Sequence, residues 1–560
     1  MATKRALLLQ RVLPLLAAVL LATLLASTQA VSSQKAVAKR MGSVVDWSTR
    51  HVLYPQGASL RTLALSQRDP RAYWNYLKLT RDANAAEMRR FGPPPRRPVR
   101  PLTQTDWSVA LGAAGTATDM FPAKFSFDVN AIPDCTNDYV VFTINTVPSA
   151  TQANIAAFNN LYSGTAGGTG MCGSGAATPL WAYQISTFVL RTSPVLSLDG
   201  AKVAFVDGAT PAVFHVLTPT AGEGTVGAPA TPTGAEIVNL PLTTGADTNS
   251  SPFVDYYADV AYVGTNNGRI FKITGVFNGT PTLAGAPWPL HVATGQLTEP
   301  VVDFNTGNIF AGSANGILYG FTSSGTPLPG APMLVGDGSA NGGFKDAPVL
   351  DVVNGFLYAA TGGNAAATAA VLLQTGTSNF STVQTAVIGS SDAAPIHAGA
   401  FNDAYFSAPT NMMGTTSEWF FYVCGTGTGG STSPVLYRVG FNASRQMNTT
   451  VDPAMISLSG NAGEQCSPLT EFRNGIDRLF LGLRTLHVVE AFDISTNTTP
   501  VTSGGPVAEA GGTSGIIVDN VSTANQASSI YFSTIGASAN CKVGGVNQRC
   551  AVKLTQGGFR

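Results

Sequence analysis

Charge is what this sequence has least of. Only 11% of its 560 residues are Asp, Glu, Lys or Arg, against about a quarter in ordinary soluble domains. Histidine is scarcer: five residues, with no H-x-x-x-H spacing, and no C-x-x-C pair accompanies them. That argues against a metal centre. No Gly-x-Ser-x-Gly elbow stands out and no Ser/His/Asp set can be assembled from spacing, which argues against a serine hydrolase. After the first thirty residues no apolar run is long enough to cross a bilayer.

What is present is punctuation. Prolines recur at Pro252, Pro300, Pro348 and Pro395, in steps of 48, 48 and 47 residues, with Pro194 before the series and Pro468 after it. Around three of them the wording repeats: Pro252-Phe253-Val254-Asp255, Pro300-Val301-Val302-Asp303, Pro348-Val349-Leu350-Asp351. A strand-only period near 48 is the signature of a β-propeller. The fold class is therefore all-β, with a first unit over about 120–190, six proline-led units, and an eighth opened by Ser514-Gly515-Ile516-Ile517. Eight blades is the preferred count, and seven is the alternative if the first unit is not a blade. The step from Pro395 to Pro468 is 73 residues, so that unit carries about one extra hairpin, in 408–417 or 427–433. Asn267-Gly268 and Asn315-Gly316 read as tight type I′ turns. The last unit has three strands, and Lys124–Val129 is the expected donor of the fourth, closing the ring.

The ends have their own composition. Lys4, Arg5 and Arg11, the apolar run Val12–Leu25, and small residues at Thr28 and Ala30 read as a signal peptide over 1–30. The mature protein is then secreted, extracellular or periplasmic, with no transmembrane segment after cleavage. Cys135, Cys172, Cys424, Cys466, Cys541 and Cys550 allow 15 pairings. Sequence neighbours make the simplest set: Cys135–Cys172, Cys424–Cys466 and Cys541–Cys550. Residues 31–105 hold fourteen Lys/Arg and four Asp/Glu, whereas 106–560 hold fifteen and twenty-eight. A basic arm (31–119) thus precedes an acidic propeller (120–560). Within the arm Asp69 is an N-cap and Pro70 a first helical residue, with Tyr73, Tyr76, Leu77 and Thr80 on one face. A Pro/Arg strap follows at 93–101. Opposite charge suggests that the arm clasps an acidic face of its own propeller or of another copy.

Val263-Gly264-Thr265-Asn266-Asn267-Gly268-Arg269-Ile270-Phe271 and Gly312-Ser313-Ala314-Asn315-Gly316-Ile317-Leu318-Tyr319 resemble the repeat of PQQ-like propellers. Thr151–Ile155, Ser193–Gly200 and Gly511–Ile516 are similar to exported bacterial propellers of unassigned function. The first resemblance implies a quinone-dependent dehydrogenase with its cofactor on the axis, usually beside Ca²⁺. Here no two cysteines are adjacent, as alcohol-oxidising members often have them, and no calcium loop is seen. No cofactor is therefore expected.

The recurring acids Asp255, Asp303, Asp351 and Glu471 are read as turn caps, since a catalytic carboxylate should appear once or as a pair. His215, His291 and His487 lie in strand-like runs and are read as packed or hydrogen-bonded. Two residues are candidate channel-lining groups: His397, just after Pro395-Ile396, and Glu299, standing before Pro300 where other units have a small residue. The functional expectation is an exported, non-catalytic propeller for binding or assembly at or outside the cell surface, self-associating through its arm. Its partners would be protein, glycan or other copies, with nucleic acid excluded by export and the acidic body. The alternative is a quinone-dependent or carbohydrate-active enzyme with a site at one mouth of the ring.

Overall fold

The computed structural model describes residues 43–55, 69–75 and 102–556, apart from 128–132, 166–168, 382, 408–411, 414–415, 459–462, 475, 497–498, 503–505, 521–525, 527, 538–540 and 546. The expected signal peptide, the helix beyond residue 75 with Tyr76, Leu77 and Thr80, and the Pro/Arg strap lie outside these residues. Eight antiparallel sheets form a propeller. The inner strands are Ala123–Ser126, Val195–Leu196, Phe253–Asp255, Val301–Asp303, Val349–Asp351, Ala400–Phe401, Thr470–Asn474 and Ile517–Asn520, in blade order. The repeated prolines precede these strands, where a missing N–H costs no ladder bond. Each second strand is apolar on both faces, as in Val260–Gly264 and Asn308–Gly312, because blade stacks on blade.

Closure differs from the sequence expectation. The outer strand of blade 8 is Leu102–Gly112, paired antiparallel with Arg549–Gln556. Ala123–Ser126, which overlaps the Lys124–Val129 segment expected to close the ring, is instead the inner strand of blade 1, paired with Tyr139–Thr143. The reason is visible in the alternation. Trp107, Val109 and Leu111 pack with Val140, Phe142 and Phe158 of blade 1, while Ala110 packs with Val518, Ile530 and Phe532 of blade 8. Both faces of the strand are buried, one apolar with Trp107, Val109 and Leu111, the other with Asp106, Ser108 and Ala110, as a strand lying between two blades requires.

Other details refine the reading. Blade 6 absorbs its extra length as a helix, Asp403–Ser407, and a hairpin of Met412–Met413 with Thr416–Ser417. The turns at Gly268 and Gly316 are not type I′. Only the glycines have positive φ, at 76° and 77°, and each N–H donates to the carbonyl three residues back, Thr265 and Ser313. The three disulfides are Cys135–Cys172, Cys424–Cys466 and Cys541–Cys550. The second joins blade 6 to the entry of blade 7.

Two sheets gain a fifth strand on the channel side. Ser43–Val45 pairs antiparallel with Ala123–Ser126 of blade 1, and Val52–Leu53 pairs parallel with Val349–Asp351 of blade 5. Blades 1 and 5 face each other across a ring of eight. The N-terminal segment therefore crosses the axis.

Candidate functional site

The axis, where a propeller would hold a ligand, is filled by this crossing segment. Asp46 caps a 3-10 turn, Trp47–Arg50: its Oδ1 accepts from the Ser48 N–H at 2.9 Å and from the Ser48 hydroxyl at 2.6 Å. The cap turns Trp47 toward blade 3. Its Nε1 donates to the Pro252 carbonyl at 3.1 Å, and its ring meets Phe253 edge-on at 6.0 Å.

A second short stretch, 69–75, lies against the first. The sequence-assigned cap is formed: Asp69 Oδ1 accepts from the Arg71 N–H at 2.9 Å. Arg71 is fully buried. It donates to Asp69 at 2.8 Å, to the Ser48 hydroxyl at 3.1 Å and to the Val254 carbonyl at 2.7 Å. Its guanidinium lies over the rings of Phe253 at 4.3 Å and Phe304 at 4.9 Å. Burial opposes its charge, but Asp69, with Tyr256, Asp46 and Tyr54, more than offsets that and raises its pKa. Its Nε, Nη1 and Nη2 thus donate to three different partners, a planar fork that Lys cannot reproduce.

At one mouth, charged groups from the added segments meet charged groups from the blades. Arg50 donates to the Ala398 carbonyl at 3.0 Å, and its guanidinium lies 5.0 Å from the centre of the Phe121 ring. His51 Nε2 stands 3.4 Å from Asp346, and its Nδ1 is 3.2 Å from the Pro348 carbonyl. Asp346 accepts from the N–H groups of Ala347 at 2.9 Å and Ala398 at 3.1 Å. Residues 119–121, linking blade 8 to blade 1, lie over the same end. Asp119 pairs with Arg484 of blade 7 and stands 3.4 Å from His397 of blade 6. Met120 accepts at its carbonyl from Gly515, and Phe121 donates to Ser193.

Both sequence candidates are in this neighbourhood. Glu299 is 6% exposed and His397 5% exposed. Glu299 accepts from the Ser251 hydroxyl at 3.4 Å. Burial, and then Asp346, push its pKa up to about 8. Burial lowers His51 to about 4 against the pull of Asp346, and lowers His397 against that of Asp119. Asp346 goes the other way: burial would raise it, but His51, Arg50 and His397 hold it below the usual carboxylate value. The cluster thus sets a carboxyl whose neutral form is favoured, Glu299, beside one whose charge is favoured, Asp346.

Asp346 itself was legible but unread. Two residues before the blade proline, Thr192, Ser250 and Thr298 each accept an N–H of the second strand, from Val206 at 3.1 Å, Gly264 at 3.0 Å and Gly312 at 3.0 Å. Blade 5 has Asp346 at this position. The acids after the prolines behave as turn caps in three blades: Asp255, Asp303 and Asp351 accept the N–H two residues on, at 2.9, 2.9 and 3.1 Å. Glu471 instead lies within a strand, opposite Leu479. His215 is buried, stacked on Phe205 and 3.1 Å from Asp207. His291 is exposed on an outer strand, and His487 occupies a hairpin turn at φ 59°, accepting from Gly511.

Little space remains. A cavity of about 10 Å³, room for one water, lies between Trp47, Asp119, Glu299 and Asp346. A second, of about 80 Å³, lies between the crossing segment and blades 6–8, lined by Arg50, Trp74, Phe121, Phe401, Phe472 and Ile517. A benzene-sized cavity is about 150 Å³, so neither admits a tricyclic quinone with its carboxylates. The residues on the axis do not fit the cofactor that the PQQ-like resemblance implies, and no step through it is derived. Among the described residues, no group of three or more His, Cys, Asp or Glu is placed to hold a metal ion.

No family model matches the sequence, and no curated protein matches it. Solved structures similar to it include BamB from Moraxella catarrhalis, at 11% identity over 80% of this chain and 99% of that one, with a TM-score of 0.41. Sqt1 from Chaetomium thermophilum shows 11% identity over the same shares, with a TM-score of 0.46. The same protein bound to the N-terminus of the ribosomal protein L10 shows 10% identity over 80% and 99%, with a TM-score of 0.45. These likenesses are to propellers, at a level that carries no function with it.

Proposed function

We propose that this protein is an exported, non-catalytic β-propeller that works by binding, in an assembly at or outside the cell surface, and that its axis is closed by its own N-terminal segment. The observation that carries the reading is the buried set Trp47, His51 and Arg71, which occupies the position where an axial substrate or cofactor would lie. Partners are then met on the rim and the outer loops, and a protein or a glycan is the expected class. Three disulfides in one chain support an oxidising compartment. The described part of the arm engages its own propeller, so the clasp is carried forward as one within a single chain.

The test uses the full chain, secreted from a eukaryotic or periplasmic host. Intact mass should show a mature protein beginning at Val31, with six cysteines oxidised. Dye reduction with quinone and Ca²⁺ across alcohols and sugars should stay at the blank. Turnover there, in the wild type or in Trp47→Ala, would overturn the reading, because it would make the axis a reaction site.

A further inference from the structure

The outer strands of a propeller are sheet edges, and exposed edges invite pairing. Seven of the eight edges here are short, covered or guarded. Blade 1 ends in Thr178–Tyr183, which a loop of blade 2 covers: Ala182 donates to Glu223 at 2.8 Å and Gln184 to Ala230 at 2.9 Å. Blade 2 ends in Ile237–Pro241, guarded by Glu236 at its start and Pro241 at its end. Blade 3 has two-residue strands, Thr282–Leu283 and Leu290–His291, and blade 4 has Met333–Leu334, each directly after a proline. Blade 6 ends in Ile456–Ser457, and blade 7 in Val501–Thr502 and Val507–Ala508. Blade 8 is covered where Ala110 donates to Val543 at 2.9 Å and Val543 returns to Ser108 at 3.0 Å.

Blade 5 differs. Its outer strand, Gln384–Ser390, is seven residues long, and among the described residues the sheet ends there. Its far end is tied down: the ladder shifts register past Val387, and Ser390 donates to Gly427 of blade 6. The open part is Gln384–Val387. Val383, Thr385 and Val387 alternate on its exposed side, with Val383 44% and Val387 49% exposed. From residue 352 to residue 391 the sequence has no Asp, Glu, Lys, Arg or His. No gatekeeper charge stands on this edge, in a body that is strongly acidic elsewhere.

We propose that this edge is a self-association surface, on which a second copy of the chain docks by antiparallel strand pairing. Two features favour a second copy over an unrelated extended peptide. Two acidic bodies repel wherever their charges face each other, and this uncharged blade is where they can approach without that cost. The strand also complements itself. A two-fold axis at Ala386 sets Thr385 of each copy against Val387 of the other, two β-branched pairs of the kind that stabilise sheets. The contact is isologous and closes at two copies. It joins two five-stranded sheets into one of ten, since blade 5 already carries Val52–Leu53 on its inner side.

This inference rests on the reading of the protein as a binding propeller, and its test is separable from that reading. Light scattering on the mature full chain should give twice the chain mass at high concentration, with dissociation on the order of 10 µM, as befits a small interface. Val387→Lys and, independently, Thr385→Lys should give the single-chain mass with an unchanged melting midpoint, because both side chains face solvent. Val238→Lys, on the edge of blade 2, should leave the dimer intact. A single-chain mass for the wild type throughout the range, or a dimer that survives both blade 5 variants, overturns the proposal. A monomer without quinone turnover ends this inference alone; a dimer with turnover ends the functional reading alone.

Discussion

The first hundred or so residues enter the propeller at two places, and the two are built differently. At the rim, Leu102–Gly112 runs eleven residues along Arg549–Gln556. On the axis, the same chain contributes ladders of only three and two residues, Ser43–Val45 and Val52–Leu53. The rest of the axial attachment is made largely by side chains, among them Trp47, Arg50, His51 and Arg71. The rim strand is thus part of the ring, because without it blade 8 has three strands. The axial segment is an insert in a ring that already closes. Such inserts belong to the less stable cooperative units of a fold.

The largest test of this contrast is Trp107→Ala in the rim strand. Trp107 is fully buried, and its Nε1 donates to the Leu161 carbonyl at 3.1 Å across the seam to blade 1. Truncation should cost about 3–5 kcal/mol, read as a shift of the whole denaturant transition with unchanged slope. On the axis, Arg71→Ala leaves Asp69 buried with Tyr54 as its one side-chain partner among the described residues. Removing one member of a buried pair costs about 3 kcal/mol, but here hydrogen exchange should rise over residues 43–54 while Leu102–Gly112 stays protected. Equal loss of protection at both places would mean that axis and rim are one cooperative unit.

The contrast was only half legible in the sequence. The proline period marks inner strands, so six of the blades could be counted directly, and Gly515 keeps the same step for a seventh. It says nothing of the outer strand that closes the ring, because that strand comes from far away in sequence and obeys no repeat. Its own alternation, Trp107, Val109, Leu111, was the available signal, but it sits next to a basic region that reads as an arm. At the mouth, Glu299 stood out because it breaks a small-residue rule; Asp346 stands where three of the other five proline-led blades have a hydroxyl and the remaining two have Ala393 and Cys466, a weaker signal. Asp119, Arg50 and His51 obey no period. The crossing of the axis brings Arg50 and His51 to the blades, and the link from blade 8 to blade 1 brings Asp119; no local pattern encodes either path.

The mouth cluster offers a pH test on the axial side. Glu299 has its folded pKa raised from 4.5 to about 8. A raised value means that the neutral acid suits the fold, so stability from this group is full below 4.5 and falls as pH rises through 8. His51 is lowered from 6.5 to about 4, so its contribution is full above 6.5 and falls as pH drops toward 4. Glu299→Gln should therefore raise the melting midpoint relative to wild type at pH 9 and leave it unchanged near pH 4. An identical difference at both values would show that Glu299 does not titrate in this range.

The rim has its own buried charges, and they sharpen the comparison. Lys553 lies 3.4 Å from Asp106, and Lys124 lies 3.1 Å from Asp519, all between blades 8 and 1. Burial lowers Lys553 to about 8, against the pull of Asp106 and Asp519. A lowered lysine disfavours the fold as pH falls from 10.5 to 8 and changes nothing further below that. Its pairing with Asp106 is thus a poor source of net stability. Replacing both partners, Asp106→Asn with Lys553→Met, should change stability at pH 7 by no more than about 1 kcal/mol, although Lys553→Met alone should cost more by removing the cation that faces the buried Asp106.

The smallest effect belongs to the repeat itself. Asp255 caps the first turn of blade 3, with Oδ1 accepting from Tyr257 at 2.9 Å and Ala258 at 3.1 Å. The turn is exposed, so water can replace the carboxylate, and Asp255→Ala should cost only about 1 kcal/mol. Asp351 makes the same turn bonds but is buried, and it also accepts from the Tyr405 hydroxyl at 2.6 Å. Asp351→Ala should cost about 2 kcal/mol, since the buried Tyr405 hydroxyl loses its 2.6 Å acceptor and must turn to the Tyr358 hydroxyl at 3.1 Å. One residue type at one repeat position then has two values, set by what the neighbouring blade brings to it. Equal costs for the two variants would show that the turn bonds alone account for the repeat.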